Sequence, residues 1–316
     1  MKRVFLIFFL TAVACISAMA QESQNVFNFL RIPISAHATA LGGENISIIE
    51  DDATLALSNP ALLSSVSSRT ISLGYMNNFN GTSLYNAGYT HAINDKLTLG
   101  GQMFFMNYGS MKEMDAYGNE LGTFSPSDLA VEAILSYTLT KRLVGGIGAK
   151  FVYSKIGNYS STAAAIDLGL NYYDEDNDLS LSATAKNLGG QLSAYNDEFE
   201  DMPIDVLVGI TKGLGSLPVQ VSLTIDDFTH WDYSFWQHLR LGADIYFSQN
   251  FYVAGGYNFR RASAMTVSDG EDGTTTGGAG FTVGAGLLLD RFSINVSYAK
   301  QHVSTSNLMF NASFTL

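Results

Sequence analysis

The sequence has few charged residues, little proline and almost no cysteine. Only 15% of its 316 residues are charged, whereas ordinary soluble domains carry about 25%. The chain has 5 prolines and a single cysteine. One cysteine cannot form a disulfide within the chain. After the first twenty residues, no stretch approaches the roughly 18 consecutive apolar residues of a membrane-spanning helix. These absences exclude a helical membrane protein and a disulfide-stapled domain.

Residues 1–20 have the pattern of an export signal. Two basic residues precede the apolar run Val4–Val13, and Ala18-Met19-Ala20 supplies small residues for cleavage. This run is shorter than the roughly 20 residues that a membrane span needs. Cys15 leaves a lipoprotein as the alternative. Cleavage after Ala20 predicts an exported chain without cysteine, which must be stable without disulfides.

The charge balance is acidic. The chain has 17 basic and 29 acidic residues, and removal of the two basic signal residues leaves 15 − 29 = −14. This excess argues against nucleic acid as a partner. Aromatic residues reach 12%, and there are 30 glycines. An exported chain with this composition and no helical span predicts an all-β fold, an antiparallel transmembrane β-barrel.

Alternation of apolar and small or polar residues supports strands from Thr70 onward. In the last ten residues, NLMFNASFTL, one face carries only apolar side chains, namely Leu308, Phe310, Ala312, Phe314 and Leu316. Turn signals divide the chain into about fourteen strands, an even number as bacterial outer-membrane barrels have. The first is predicted at Thr70–Met76. A soluble β-sandwich shows the same alternation, so strand number alone does not decide.

Loop lengths separate the two folds. The odd-numbered connections are the longer ones and include Ser110–Ser127, Gly189–Pro203, Asp226–Trp236 and Arg260–Gly280. The even-numbered connections are mostly tight, as at Thr140–Arg142. Outer-membrane barrels have long loops outside the cell and short turns in the periplasm. The sequence therefore predicts a location in the cell outer membrane, with the long loops extracellular.

Charged residues also recur on the side of the strands that would face the lumen. Five successive strands carry one each, with alternating sign: Glu132, Lys150, Asp167, Lys186 and Asp205. Opposing residues of an antiparallel pair have index sums fixed by the turn centre. Each neighbouring pair fits; Lys150 and Asp167, for example, centre inside the loop KIGNYSS. We predict a belt of cross-strand ion pairs, structural because confined charges need partners. A selectivity lining for a permeating solute is the alternative.

No motif predicts a catalytic residue, a cofactor site or a metal site. Asp174–Asp178 resembles the start of a calcium loop but lacks its later glycine and glutamate. Gly145–Gly148 opens no helix, so these small residues indicate close packing within a strand. The histidines are scattered without metal-ligand spacing, at positions His37, His91, His230, His238 and His302. An outer-membrane lipase would need one of them as a base, and no serine motif accompanies them.

The loop Asp226–Trp236 is rich in aromatic and acidic residues. Its candidate partner-contact residues are Phe228, Trp231, Tyr233 and Trp236. One interpretation places its tryptophans in the outer aromatic girdle of the barrel. The other is a docking surface for a protein partner or lipopolysaccharide, because Trp and Tyr are frequent interface anchors.

Residues 21–68 do not alternate and predict a plug of short helices ahead of the barrel, residues 69–316. Asn59 can cap a helix whose first residue is Pro60, which has no N–H to leave unsatisfied, and Ala61 continues that turn. Asp51 or Asp52 can cap an earlier turn or anchor the segment. Helices this short need a surface to pack against, and the lumen supplies one.

Several stretches carry a resemblance to a known family. The run ALGGENISIIEDDATLALSNPALLS is similar to the N-terminal signature of FadL-type outer-membrane proteins, in which a plug precedes a fourteen-stranded barrel. Further stretches, including NFLRIPISAHATALGG, MNYGSMKEMDAYGNELGTFSPSDLA, AKFVYSKIGNYSSTAAAIDLGLNYY and KNLGGQLSAY, resemble the PorQ family of the Bacteroidetes type IX secretion system, a relative of PorV. They extend through most of the chain after residue 20.

This resemblance implies a non-enzymatic barrel in the complex that attaches secreted cargo to lipopolysaccharide. It implies PorZ as the direct surface partner, with PorU and PorV reached through the complex. The four long loops would make the contacts. The alternative from another class is a FadL-like transporter of hydrophobic small molecules, which needs an apolar path and a movable plug.

Overall fold

Fourteen antiparallel strands close into a barrel in the computed structural model of the protein. The structure describes residues 25–77, 81–229, 233–265, 267–268, 274–275, 278–300 and 306–316. The predicted signal, 1–20, lies outside these ranges. Each strand pairs with its neighbours in the chain, and the first pairs with the last to close the barrel. The predicted fold class is confirmed.

The barrel strands are numbered β1 to β14 along the chain. They are Thr70–Asn77, Ser83–Asn94, Leu97–Asn107, Ser127–Thr140, Leu143–Ile156, Tyr159–Asp174, Leu179–Ser193, Asp205–Gly213, Val219–Ile225, Leu239–Ser248, Phe251–Asn258, Phe281–Leu288, Phe292–Lys300 and Ser306–Thr315. Strand β1 starts at the predicted residue, Thr70.

Alternation gives the barrel an apolar outer wall. On β6, Ile166, Leu168 and Leu170 are 45%, 45% and 49% exposed, whereas Asp167 and Gly169 between them are buried. The same pattern repeats around the barrel. So much outward apolar surface is stable only against lipid. Among the described residues, no helix has both the length and the apolar character to cross a membrane.

The long connections are all odd-numbered, so they lie at one end of the barrel. The loop after β3 contains a hairpin of Met111–Met114 and Glu120–Phe124, and the loop after β11 contains the helix Phe259–Ala264 and a short pair, Val267–Ser268 with Thr274–Thr275. The loop after β9 contains the 3-10 helix Phe235–His238.

One odd connection differs from the prediction. The stretch KIGNYSS is not a loop, because β5 continues to Ile156 and β6 starts at Tyr159. Only Gly157 and Asn158 connect the two strands. Gly157 has φ +59°, and a two-residue hairpin turn needs such a left-handed conformation.

The segment before β1 fills the barrel. It contains four short helices, Asn28–Arg31, Ala36–Ala40, Ala53–Leu57 and Pro60–Ser65, and residues 34–48 and 52–63 are buried throughout. Its apolar side chains form clusters together with side chains of the barrel wall. We call residues 25–68 the plug, because the helices are too short to be stable without the wall around them.

Candidate functional site: the plug and the lumen

Asn59 caps the last plug helix and also ties it to the wall. Its Oδ1 accepts a hydrogen bond from the backbone N–H of Ala61 at 3.0 Å, and Pro60 is the first helical residue. Its Nδ2 donates to the carbonyl of Ile46 at 2.9 Å and to Ser182 Oγ of β7 at 3.2 Å. One amide therefore joins two parts of the plug to a barrel strand.

Glycines in the wall make room for this turn. At Gly146 of β5, an added Cβ would overlap the backbone of Pro60 and Ala61, lying 2.7 Å from the Pro60 carbonyl oxygen. At Gly169 of β6, it would overlap the Asn59 amide. Gly146, one of the glycines that the sequence marks as a close-packing feature, therefore forms a socket for the Asn-Pro-Ala turn together with Gly169.

The two neighbouring aspartates have different roles. Asp52 is buried and caps Ala53–Leu57, since its Oδ1 accepts from the backbone N–H of Thr54 at 2.9 Å. Burial and the nearby Glu50 raise its pKa. Asp51 is exposed and accepts from the backbone N–H of Ser67 at 2.7 Å. Asp52 is thus the cap, and Asp51 anchors the chain where it leaves the plug.

His37 forms a buried link between plug and wall that sequence reasoning missed. Its Nε2 lies 2.8 Å from Asp244 Oδ1 of β10, and its Nδ1 contacts Glu50 Oε2. The ring stacks on Tyr252 at 4.2 Å. Burial alone would lower its pKa, but Glu50 and Asp244 outweigh burial and raise the pKa to about 10. An imidazolium therefore bridges two carboxylates.

Of the four cross-strand pairs predicted between lumen charges, two are present in the structure. Glu132 lies opposite Lys150 on β4 and β5, and Lys186 lies opposite Asp205 on β7 and β8. The Lys150 Nζ is 3.4 Å from Glu132 Oε2 and 2.8 Å from Asp167 Oδ2. All three side chains are buried.

The prediction that Asp167 lies opposite Lys150 is wrong in register. It lies opposite Gly148, two residues from Lys150, because the β5–β6 turn is tighter than a KIGNYSS loop. On its other side a β-bulge interrupts pairing with β7, and Asn187 takes a φ of +58°. The Asn187 N–H donates to Asp167 at 2.7 Å. Lys186 instead pairs with Glu44 of the plug at 3.0 Å, so the belt includes plug and wall.

Replacing Lys150 with methionine is expected to destabilise the barrel by about 3–5 kcal/mol, because two buried carboxylates lose their cation. Urea unfolding from lipid vesicles measures this. The matched control is Lys155→Met, whose side chain is exposed on the same strand. A gain of ion conductance in the Lys150 variant, without loss of stability, would instead support a selectivity lining.

A polar cavity of 430 Å³ lies at the long-loop end of the lumen, between the plug and the loop helix Phe259–Ala264. Its walls carry charged side chains from plug, strands and loops, including Arg31, Glu44, Lys186, Asp205, Asp226, Arg240, Arg260 and Arg261. Arg240 pairs with Asp226, and Arg260 pairs with Asp227. Two carboxylates of the loop Asp226–Trp236 therefore hold basic residues at the mouth of the barrel.

Of the predicted contact residues that the structure describes in the loop Asp226–Trp236, only Trp236 is largely exposed. Phe228 and Tyr233 are half-buried, and the guanidinium of Arg260 stacks over Tyr233 at 4.4 Å. Trp236 is 64% exposed and packs beside Phe259, with ring centroids 6.4 Å apart. Trp231 lies outside the described residues. Within the described ranges, no group of three or more His, Cys, Asp or Glu residues has the arrangement of a metal site.

An apolar outer wall, a closed barrel and a plugged lumen define a membrane β-barrel. Its fold is that of the FadL-type outer-membrane barrels, as solved structures show. The toluene transporter TodX of Pseudomonas putida matches with a TM-score of 0.58 at 13% identity, over 88% of this chain and 96% of that one.

Two further structures give the same result. A FadL homologue of Pseudomonas aeruginosa matches with a TM-score of 0.53 at 12% identity, over 89% of this chain and 97% of that one. The monoaromatic hydrocarbon channel CymD matches with a TM-score of 0.56 at 11% identity, over 92% of this chain and 99% of that one. Neither a protein-family profile nor a curated protein sequence matches the chain.

Proposed function

We propose that the protein is a non-enzymatic outer-membrane transporter for small hydrophobic molecules. The observation that carries this proposal is the fold, which matches nearly the full length of barrels described as a toluene transporter and a monoaromatic hydrocarbon channel. The long-loop end faces the cell exterior in this proposal, as in other outer-membrane barrels.

The plug rests on an apolar stretch of wall. Phe29 and Leu63 of the plug belong to one cluster with Phe104, Ile134 and Val152, which lie on the adjacent strands β3, β4 and β5. The rings of Phe29 and Phe104 are 5.5 Å apart. A plug that moves away from this wall exposes an apolar surface along which a hydrocarbon can pass.

Transport requires the plug to move. The void beside Leu30, Leu57 and Phe104 measures about 10 Å³, which is at the limit for a single water molecule. A monoaromatic molecule does not fit there. The plug therefore acts as a gate, and a covalent link between plug and wall is expected to stop uptake.

Ser47 and Thr211 provide the positions for such a link. Ser47 is in the plug and Thr211 is on β8, and their hydroxyl oxygens are 2.8 Å apart, so cysteines at both positions would bring two thiols next to each other. For Ser47→Cys/Thr211→Cys, oxidation is expected to reduce uptake of labelled toluene by cells to the level of cells lacking the protein, and a reductant should restore it.

Ser47→Cys alone, treated with the same oxidant, is the control and should transport like the wild type. Undiminished toluene uptake by a fully cross-linked variant would refute the moving plug. Wild-type cells that take up no more toluene than cells without the protein would refute the transporter itself.

A second candidate, an anchor for a surface protein, is favoured by apolar side chains exposed at the long-loop end. Tyr117 and Leu121 of the hairpin are 92% and 64% exposed, and Phe199 in the loop after β7 is 66% exposed. With the sequence resemblance, this supports a PorQ-like role in type IX secretion, with PorZ bound directly, PorU and PorV reached through the complex, and lipopolysaccharide nearby.

Affinity purification from native outer membranes decides between the candidates. An anchor is expected to retain a surface protein of the PorZ kind in stoichiometric amount through gentle detergent extraction. A transporter is expected to retain a bound hydrophobic molecule. Recovery of the barrel without any protein partner would count against the anchor.

A further inference from the structure

Basic residues are concentrated around the polar cavity at the long-loop end. After residue 20 the chain has 17 − 2 = 15 basic residues, and five of them line this one cavity: Arg31, Lys186, Arg240, Arg260 and Arg261. A third of the basic residues of this acidic protein therefore line one cavity. Ionic pairing within the protein accounts for only part of this concentration.

Four of the five bases have an acidic partner. Lys186 pairs with Glu44 at 3.0 Å and Arg240 with Asp226, while Arg260 and Arg31 share Asp227, with Arg31 at 3.6 Å. The remaining acid, Asp205, accepts a hydrogen bond from the Asp227 backbone N–H at 2.8 Å. Arg261 forms no ion pair with any described residue, and its Nη1 is buried without a hydrogen-bond partner there.

Arg240 and Arg261 place their guanidinium groups close together beside Gly43. A Cβ added at Gly43 would lie 3.3 Å from Arg240 Nη1, 3.4 Å from Arg261 Nη2 and 3.5 Å from Asn258 Nδ2, so donors from different elements meet next to this glycine. Burial and the charge of Arg240 lower the pKa of Arg261 to about 10. Two like charges this close in a buried setting repel each other, and among the described residues Asp226 pairs with Arg240 but not with Arg261.

We propose that this cavity binds a phosphate group between Arg240 and Arg261. A phosphate offers several acceptor oxygens in a tetrahedral arrangement, so two guanidiniums from different directions can each donate to it. Because residue 43 is glycine, a bound phosphate can come close to the backbone there. The charged walls of the cavity exclude a hydrocarbon. The site is distinct from the apolar wall of the proposed transport path and does not depend on that proposal.

The phosphate has two possible sources, a free small molecule or the head group of a lipid. The cavity volume of 430 Å³ accepts either, since ligand pockets usually measure about 300–1,000 Å³. Isothermal titration calorimetry of the purified full-length barrel in a non-ionic detergent distinguishes them, with inorganic phosphate and dihexanoyl phosphatidic acid as separate probes. We expect saturable binding of one or both probes.

Arg261→Gln is expected to weaken that binding at least tenfold, because a charge-assisted hydrogen bond to an anion is lost. Arg261→Lys keeps the charge and should bind better than the glutamine variant. Arg142→Gln is the control, since Arg142 is exposed in the β4–β5 turn at the other end of the barrel.

Each outcome has a defined meaning. Phosphate binding that Arg261→Gln weakens supports the site for free or attached phosphate, and binding of the lipid probe alone assigns the head group as the source. No binding of either probe, or binding that Arg261→Gln leaves unchanged while its melting temperature equals that of the wild type, would overturn the proposal.

Discussion

Replacing Gly146 with alanine is expected to unseat the plug and open a conducting path through the barrel. The new methyl group overlaps the backbone of Pro60 and Ala61, and backbone cannot rotate aside as a flexible side chain can. Overpacking at such a contact costs about 1–3 kcal/mol or more. Ion conductance in planar bilayers should rise above that of the wild type, and the plug should become accessible to added protease.

The neighbouring residue provides the control. Gly145 lies on the outer face of the same strand, where an added Cβ is 3.4 Å from Leu139 Cδ1, so Gly145→Ala should behave like the wild type. Equal conductance and protease resistance in both alanine variants would show that the glycine socket does not hold the plug.

Replacing His37 with leucine is expected to destabilise the folded barrel by about 3–5 kcal/mol. The leucine removes the cation between Glu50 and Asp244 and leaves two carboxylates facing each other in a buried space. His91→Leu is the control, because His91 is exposed and its Nδ1 contacts a hydroxyl, Ser68 Oγ at 3.3 Å, where His37 contacts two carboxylates. Urea unfolding from vesicles compares the two, and equal unfolding midpoints would contradict the buried bridge.

The same histidine gives a pH dependence with a definite sign. Its pKa rises from 6.5 to about 10 on folding, so the folded state binds the proton more tightly than the unfolded state. The stability contributed by His37 is fully present below pH 6.5 and is lost as the pH rises through about 10. Wild-type stability should therefore fall between these values more steeply than that of His37→Leu.

Regular alternation made the barrel predictable from the sequence. A strand with one face in lipid and one in a lumen must change polarity at every residue, and the stretch Phe310–Leu316 does so almost without interruption. The helix start at Asn59-Pro60 was also predictable, because capping and the absence of a proline N–H are local properties.

Contacts between distant residues were not predictable. His37 meets Asp244 across more than two hundred residues of sequence, and no spacing rule connects them. The register of Asp167 depends on the length of the β5–β6 turn and on the bulge at Asn187. A prediction from turn centres assumes regular pairing and so contains no bulge. Arg240 and Arg261 are brought together by a loop helix whose position only the closed barrel defines.

The closure between β1 and β14 imposes an order on assembly. Thr70 pairs with Thr315, so the wall stays open along one seam until the last strand arrives. The plug touches that strand, since the Ala36 N–H donates to Asn311 and the Thr39 hydroxyl is 3.6 Å from Met309 Sδ. The plug thus completes its contacts with the wall only when β14, the last strand of the chain, is in place.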